Sequence, residues 1–210
     1  MEIVYRTVAR EASDEFVERR SRFIGSIRPV TSEEEALHFI QEKKKRHWDA
    51  AHNVSAYVLR SGGVRRFSDD GEPQGTAGMP VLDVLVKEGL TDCAVVVTRY
   101  FGGILLGAGG LVRAYSHGAK LAVDAGERQE MRLCDELLLR CDYAQYGRIS
   151  PLILENGGVI DDTTYADDVT IAFHLPKGLL PKLQERLTDV SAGTLTTVEQ
   201  GASYYSFLVK

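Results

Sequence analysis

Apolar positions along this chain recur in two rhythms, alternating runs and helical stripes, broken by glycine and clustered charge. Ile3 to Ala9 and Arg22 to Val30 read as strands, with the polar stretch Ser13 to Arg20 as the connection between them. A helix follows. Ser32 and Glu35 stand at capping-box spacing, Glu33 to Glu35 face the positive helix end, and Lys43 to Arg46 face the negative end. Ala36, Leu37, Phe39 and Ile40 supply its apolar face. Val54 to Arg60 reads as a strand that Ser61-Gly62-Gly63 turns into a short partner, Val64 to Phe67. After the polar loop Ser68 to Gly78, Pro80 suits the first turn of a helix that Gly89 ends. Ala94 to Thr98 is a β-branched apolar run, as in a strand covered on both faces. Leu111 to Asp124 is helical and stops near Gly126.

Glu127-Arg128-Gln129-Glu130 is a charged break that reads as a linker, after which the pattern restarts. Leu133 to Cys141 is a strand and Tyr143 to Asn156 a helix. Val159 to Tyr165 and Val169 to Leu175 form a strand pair turned at Ala166-Asp167-Asp168. Lys177 to Val190 is a second helix, and Thr194 to Gln200 with Tyr204 to Val209 supplies the last strand or strands. The order βαββαβ is that of a split βαβ, or ferredoxin-like, unit. The expected class is α+β: a two-layer domain over residues 1–129 and a ferredoxin-like domain over 130–210.

Composition narrows the function classes. A net charge of −5 over 210 residues argues against a strongly basic, non-specific nucleic-acid binder, while leaving room for a local basic patch. Residues 1–130 hold 18 basic against 19 acidic side chains and residues 131–210 hold 7 against 11, so the second part is the acidic one. Cys93, Cys134 and Cys141 are odd in number, lie in apolar strand-like runs and fit no zinc spacing; buried free thiols in a reducing cytoplasm are expected. No apolar run approaches the ~18 residues of a membrane span, and the N-terminus is charged where a signal peptide would be apolar.

The chemistry-bearing stretch is Arg99 to Tyr115, where five glycines and two arginines separate an apolar strand from a helix. Such a loop brings backbone N–H groups and a helix start towards one anion. Arg99, Tyr100, Gly102, Gly103, Gly107, Gly109, Gly110 and Arg113 are therefore candidate anion contacts; a tight packing crossover is the alternative. There is no Walker ending, and the glycines do not match a dinucleotide fingerprint. The acidic loop Asp69-Asp70-Gly71-Glu72-Pro73, continuing to Gly75 and Thr76, offers three carboxylates that suit Mg²⁺, a structural turn, or contact with Arg99 or Arg113. His52, at the mouth of a strand, reads as a hydrogen-bonded structural residue before a general base, and no serine or cysteine stands out as its nucleophilic partner. Lys43 to Arg46 reads as a solvated helix end, or as an edge that contacts phosphate. Tyr100, Phe101 and Tyr115 suit either base stacking or packing.

Ser21-Arg22-Phe23-Ile24, the stretch Asp69 to Pro80, and Val95 to Gly103 through Arg113-Ala114-Tyr115 together resemble the IMPACT family in its bacterial, YigZ-like form. The resemblance covers roughly residues 1–128, with 131–210 similar to the companion C-terminal domain of bacterial members. It implies an N-terminal fold like the second domain of a small-subunit ribosomal protein and of elongation factor G. It implies a C-terminal fold like the last domain of elongation factor G. The implied role is regulation of translation. Eukaryotic relatives act through protein contacts in the amino-acid starvation kinase pathway, a partner system not expected in bacteria, and the family supplies no catalytic residues to carry over. One departure is Val54, where a family cysteine is expected after His52-Asn53. The expectation is a non-enzymatic regulator with no cofactor, binding RNA, the ribosome or a protein partner through Arg99 to Tyr115. The alternatives are a Mg²⁺-dependent phosphate-handling enzyme using Asp69, Asp70 and Glu72, and a pure protein-interaction module.

Overall fold

The computed structural model describes residues 4–208. Their contacts divide into two compact units, one of Tyr5–Glu130 with Leu208 and one of Met131–Phe207 with Val4. The first unit runs β1 (Val4–Val8), β2 (Ala12–Glu18), β3 (Ser21–Pro29), α1 (Glu33–Arg46), β4 (His52–Leu59), β5 (Val64–Ser68), α2 (Gly78–Lys87), β6 (Cys93–Tyr100) and α3 (Ala108–Gly126). Strand β7 (Arg128–Cys141) leads into α4 (Tyr143–Glu155), β8 (Val159–Tyr165), β9 (Val169–Pro176), α5 (Leu180–Ser191) and β10 (Thr197–Leu208). The architecture is mixed α and β. Ile3 and Val209, the outer ends of the expected first and last strands, lie outside the described residues. No helix among the described residues is long and apolar enough to cross a membrane.

The first unit is an antiparallel sheet in the order β2-β3-β6-β4-β5. Its central strand alternates between two interiors. Val95 and Val97 join Phe23, Ile27, Leu85 and Tyr115 beneath α2 and α3, while Ala94 and Val96 join Phe39, Ile40 and Tyr57 beneath α1. Helices therefore cover both faces, which corrects the two-layer expectation. The cause was visible in β6 itself, because a strand apolar at every position needs cover on both sides. Helix α3 lies close on the sheet because glycine faces glycine: a Cβ on Gly25 would stand 2.0 Å from the Gly118 carbonyl oxygen.

Three further expectations change. Ser13 to Arg20 is not a connection but strand β2, paired residue for residue with β3 from Ala12↔Ile27 to Glu18↔Ser21. Apart from Val17 its outward residues are polar, as suits an edge strand, and Phe16 turns in to pack on the core. The hairpin turn is Arg19-Arg20, both at positive φ (44° and 64°), a conformation usually announced by Asn-Gly and here carrying no such signal. The linker Glu127 to Glu130 is mostly the start of β7, pinned where Arg128 bonds Glu88 and Asp124. Gly109 and Gly110 belong to the first turn of α3 rather than to the loop before it.

The second unit keeps the βαββαβ order, with β9 between β7 and β8 and β10 also paired to β7. Leu137, Leu139, Ile171 and Phe173 meet Ile149, Ile153, Leu183 and Leu187 in its core. Helix α4 opens on a complete capping box, Asp142 with Gln145. All three cysteines are free and buried. Burial, then the neighbouring Asp92, push the Cys93 thiol up to about 12, so it does not act as a thiolate at neutral pH.

Gly25→Ala is expected to lower the urea midpoint by an amount equivalent to about 3 kcal/mol, because helix backbone stands in the way of the new methyl. Gly147→Ala, inside α4 with nothing within 4 Å of a built Cβ, is expected to raise stability by about 0.5–1 kcal/mol.

Candidate functional site

Two strand neighbours begin the site. His52 on β4 and Arg99 on β6 are directly paired across the ladder, and the acidic loop folds over both. Asp69 organises that loop: Oδ1 accepts N–H bonds from Ala77 and Gly78, and Oδ2 accepts one from Gly75. Burial alone would raise the Asp69 pKa, but the three backbone donors outweigh it and hold the carboxyl below its ordinary value. Asp70 ties the loop to β4 and α1, accepting from the Asn53 backbone N–H and from Lys44 Nζ, each at 2.6 Å. Its carbonyl oxygen lies 2.9 Å from His52 Nδ1. A carbonyl only accepts, so Nδ1 carries the proton and Nε2 is left facing Glu72 at 3.8 Å. Gly71, at φ 87°, turns the chain beside the imidazole, where an added Cβ would stand 3.5 Å from His52 Nδ1. Pro73 O accepts the Thr76 N–H and hydroxyl, which closes the turn.

Glu72 is the junction. Its Oε1 accepts from Arg99 Nη1 at 2.6 Å and from the Tyr115 hydroxyl at 2.7 Å, all three side chains being buried. The acidic and glycine-rich segments therefore meet, through Glu72. Burial, then the bond to Glu72, push the Tyr115 phenol far above its ordinary value, so it remains a donor across the physiological range. The Arg99 guanidinium carbon sits 5.5 Å from the Phe23 ring and 5.3 Å from the Phe101 ring. Arg99 Nε is the one buried side-chain nitrogen or oxygen among the described residues without a hydrogen-bond partner. Leaving such a donor unmade costs about 1–3 kcal/mol.

This geometry redistributes the candidate anion contacts. Arg99 is 5% exposed and already neutralised, so it is not a surface contact. Arg113 is exposed and lines a different cavity, about 340 Å³, with Arg19, Gly110 and His117. Tyr100 points away from both arginine sites, its hydroxyl bonding His47 Nδ1 and Asp49. Gly102 serves close approach, since a Cβ there would meet the Arg20 carbonyl carbon at 2.0 Å, and its N–H donates to Ser21 Oγ. Gly103 and Gly107 take positive φ at the ends of the loop, and Gly110 leaves room for Leu106. The carboxylates of Asp69, Asp70 and Glu72 turn to three different sets of partners. Among the described residues no group of three or more His, Cys, Asp or Glu is placed to hold a metal ion.

Three participants were not assigned their roles from the sequence. Tyr115 as the phenol on Glu72 was legible only as a flanking aromatic, and Arg19 and Arg20 were hidden in a stretch read as connection. Arg20 packs its backbone on Gly102, and Arg19 Nη1 reaches Leu105 O at 3.4 Å.

The sequence pattern of the Impact N-terminal domain matches residues 19–123, and that of a domain of unknown function, DUF1949, matches residues 139–194. The protein belongs to the IMPACT family. It is 37% identical over 208 residues to the IMPACT family member YvyE of Bacillus subtilis, an alignment spanning 95% of this chain and 96% of that one. It is 36% identical over 180 residues to the IMPACT family member YigZ of Escherichia coli, spanning 84% and 88%. The Protein IMPACT homolog of Dictyostelium discoideum is 35% identical over 105 residues, 48% of this chain and 29% of that protein. A solved structure, described as that of a hypothetical protein, has the same fold at a TM-score of 0.61 and 33% identity, covering 94% of this chain and 98% of the other.

Glu72→Gln is expected to destabilise the first unit by about 3–5 kcal/mol, because it strands a buried guanidinium. Glu72→Leu combined with Arg99→Met is expected to recover most of that loss in urea unfolding. Asp69 gives a pH signature. Its folded pKa is depressed below the unfolded ~3.9, so its contribution is full above that value and is lost as pH falls through the folded pKa. The stability gap between wild type and Asp69→Asn, followed by urea midpoint, is expected to narrow as pH drops from about 6 to about 3.

Proposed function

We propose that this protein is a translation-associated regulator that acts by binding rather than by catalysis, and that its first unit meets RNA phosphate at Arg19, Arg20 and Arg113. The observation that carries the reading is the exposed arginine turn Arg19-Arg20, whose backbone packs on Gly102 of the glycine-rich loop, with Arg19 and Arg113 lining one cavity. Exposed guanidinium groups on a short, rigid turn suit phosphate oxygens, and they concentrate positive charge that the acidic total conceals. Family membership supports the translation setting, since the family includes eukaryotic proteins such as the Protein IMPACT homolog of Dictyostelium discoideum, and the resemblance to the family implies regulation of translation. The expected likeness of the two units to ribosomal-protein and elongation-factor domains supports it by analogy of fold. A second reading, a protein partner, is favoured by the apolar tip of the same loop, where Leu105 is 80% and Phe101 50% exposed.

Sedimentation of tagged protein from native lysate at low and moderate salt tests the proposal. Wild-type protein is expected to co-migrate with ribosomal particles in a salt-sensitive manner. Arg19→Asn/Arg20→Gly keeps residues suited to the positive-φ turn while removing two charges. With Arg113→Ala it is expected to abolish co-migration, each lost phosphate contact flattening the salt dependence of affinity by about 0.7–0.9 in slope. Protein remaining at the top of the gradient overturns the reading. Co-migration that ignores both salt and these variants, but is lost in Leu105→Asp, replaces it with the protein partner.

A further inference from the structure

Beneath the glycine-rich loop lies a second cavity of about 450 Å³, lined by His52, Glu72, Arg99, Phe101, Leu105 and the start of α3. Its size falls in the range of small-ligand sites, and its walls are largely apolar around a few converging polar groups. Three observations give those groups a direction. Helix α3, 19 residues long, opens at Gly107 with no side-chain cap, and Gly107 and Ala108 line the cavity, so the uncapped start of the helix and its positive end border this space. Arg99, 95% buried and also lining the cavity, spends Nη1 on Glu72 and leaves Nε–H without a partner. His52 is fixed through Nδ1 to Asp70 O, so the edge that it turns to Glu72 is Nε2.

We propose that this cavity is a binding site for an apolar carboxylic acid, its carboxylate received by Arg99 and the first turn of α3 and its hydrocarbon held by Phe101, Leu105 and Leu111. A guanidinium edge and a helix start both favour a planar oxyanion. The ligand is a monoanion because Glu72 already places one negative charge at the floor, where a phosphate dianion meets added repulsion and a larger desolvation cost. It is apolar because Leu105 and Phe101 stand at the mouth with most or half of their surface uncovered. Phe101, half exposed at the mouth, lies 5.3 Å from the Arg99 guanidinium carbon, so its ring stands between solvent and the guanidinium. A free small acid and the C-terminus of a peptide ending in an apolar residue share this chemistry. The site is separate from the exposed arginines, so it stands or falls independently of the RNA reading.

The test records backbone and arginine Nε ¹H–¹⁵N spectra of the full chain during titration with two acids, two matched controls and one inorganic anion. The acids are 4-phenylbutyrate and acetyl-glycyl-phenylalanine; the controls are their amides, 4-phenylbutyramide and acetyl-glycyl-phenylalaninamide; the last titrant is inorganic phosphate. Saturable shifts are expected at Arg99 Nε–H and at the Ala108 and Gly109 amides with the acids, and binding about tenfold weaker with the amides, equivalent to ~1.4 kcal/mol. Leu105→Asp alters an exposed position, so its spectrum is expected to remain folded while acid binding weakens about tenfold or more. Whichever acid binds tighter identifies the source, and either supports the site. Equal binding of acid and amide, shifts centred on Arg113 instead, saturation by phosphate alone, or no saturable shift up to about 10 mM overturns it.

Discussion

A carboxylate taken into an apolar interior has to find charge and hydrogen bonds there, or it does not stay ionised. Glu72 finds both in Arg99 and Tyr115, and in doing so joins three pieces of chain that are distant in sequence. The acidic loop is held down on the sheet, β6 is tied to α3, and His52 is set against the junction by Asp70. The acidic loop and the polar end of the inner cavity take their positions from this buried contact. The glycine-rich loop spans the gap between Arg99, at the end of β6, and the α3 turn that carries Tyr115.

The same junction explains why this region holds two surfaces rather than one. With Arg99 committed inward, the positive charge available to a partner comes from Arg19, Arg20 and Arg113 on the outside. Arg99, its Nε without a partner, lines instead the largely apolar cavity that Phe101 and Leu105 border. A charged outer rim and an oily inner cleft flank the same loop, so a partner on one and a ligand in the other would bear on the same few residues. Buried pairs of this kind are weak evidence for stability, but they are costly to break, which makes Glu72 a positioning residue more than a source of binding energy.

Most of the architecture was legible in local pattern. Ser32 capping α1, Pro80 near the start of α2, and the apolar run of β6 each act through their immediate neighbours, and each stands near its expected place. The edge strand β2 was not legible, because outward polar residues and an Arg-Arg turn imitate a loop; its pairing with β3 is what makes it a strand. The helices on both faces follow from β6, yet which helix covers which face depends on Phe39 and Tyr115 finding opposite sides of the sheet.

The candidate site divides along the same line. Sequence alone determined that Asp69 to Thr76 is an acidic loop built of turn residues and that Arg99 to Tyr115 is a glycine-rich stretch between a strand and a helix, because turn chemistry and helix starts are properties of adjacent residues. Only the tertiary structure decided that Glu72 takes Arg99 and not Arg113, and that Tyr100 leaves the site while Tyr115 enters it. Strand alternation sends neighbours such as Arg99 and Tyr100 to opposite faces, and a charge 27 residues from its partner is chosen by the packing that brings them together.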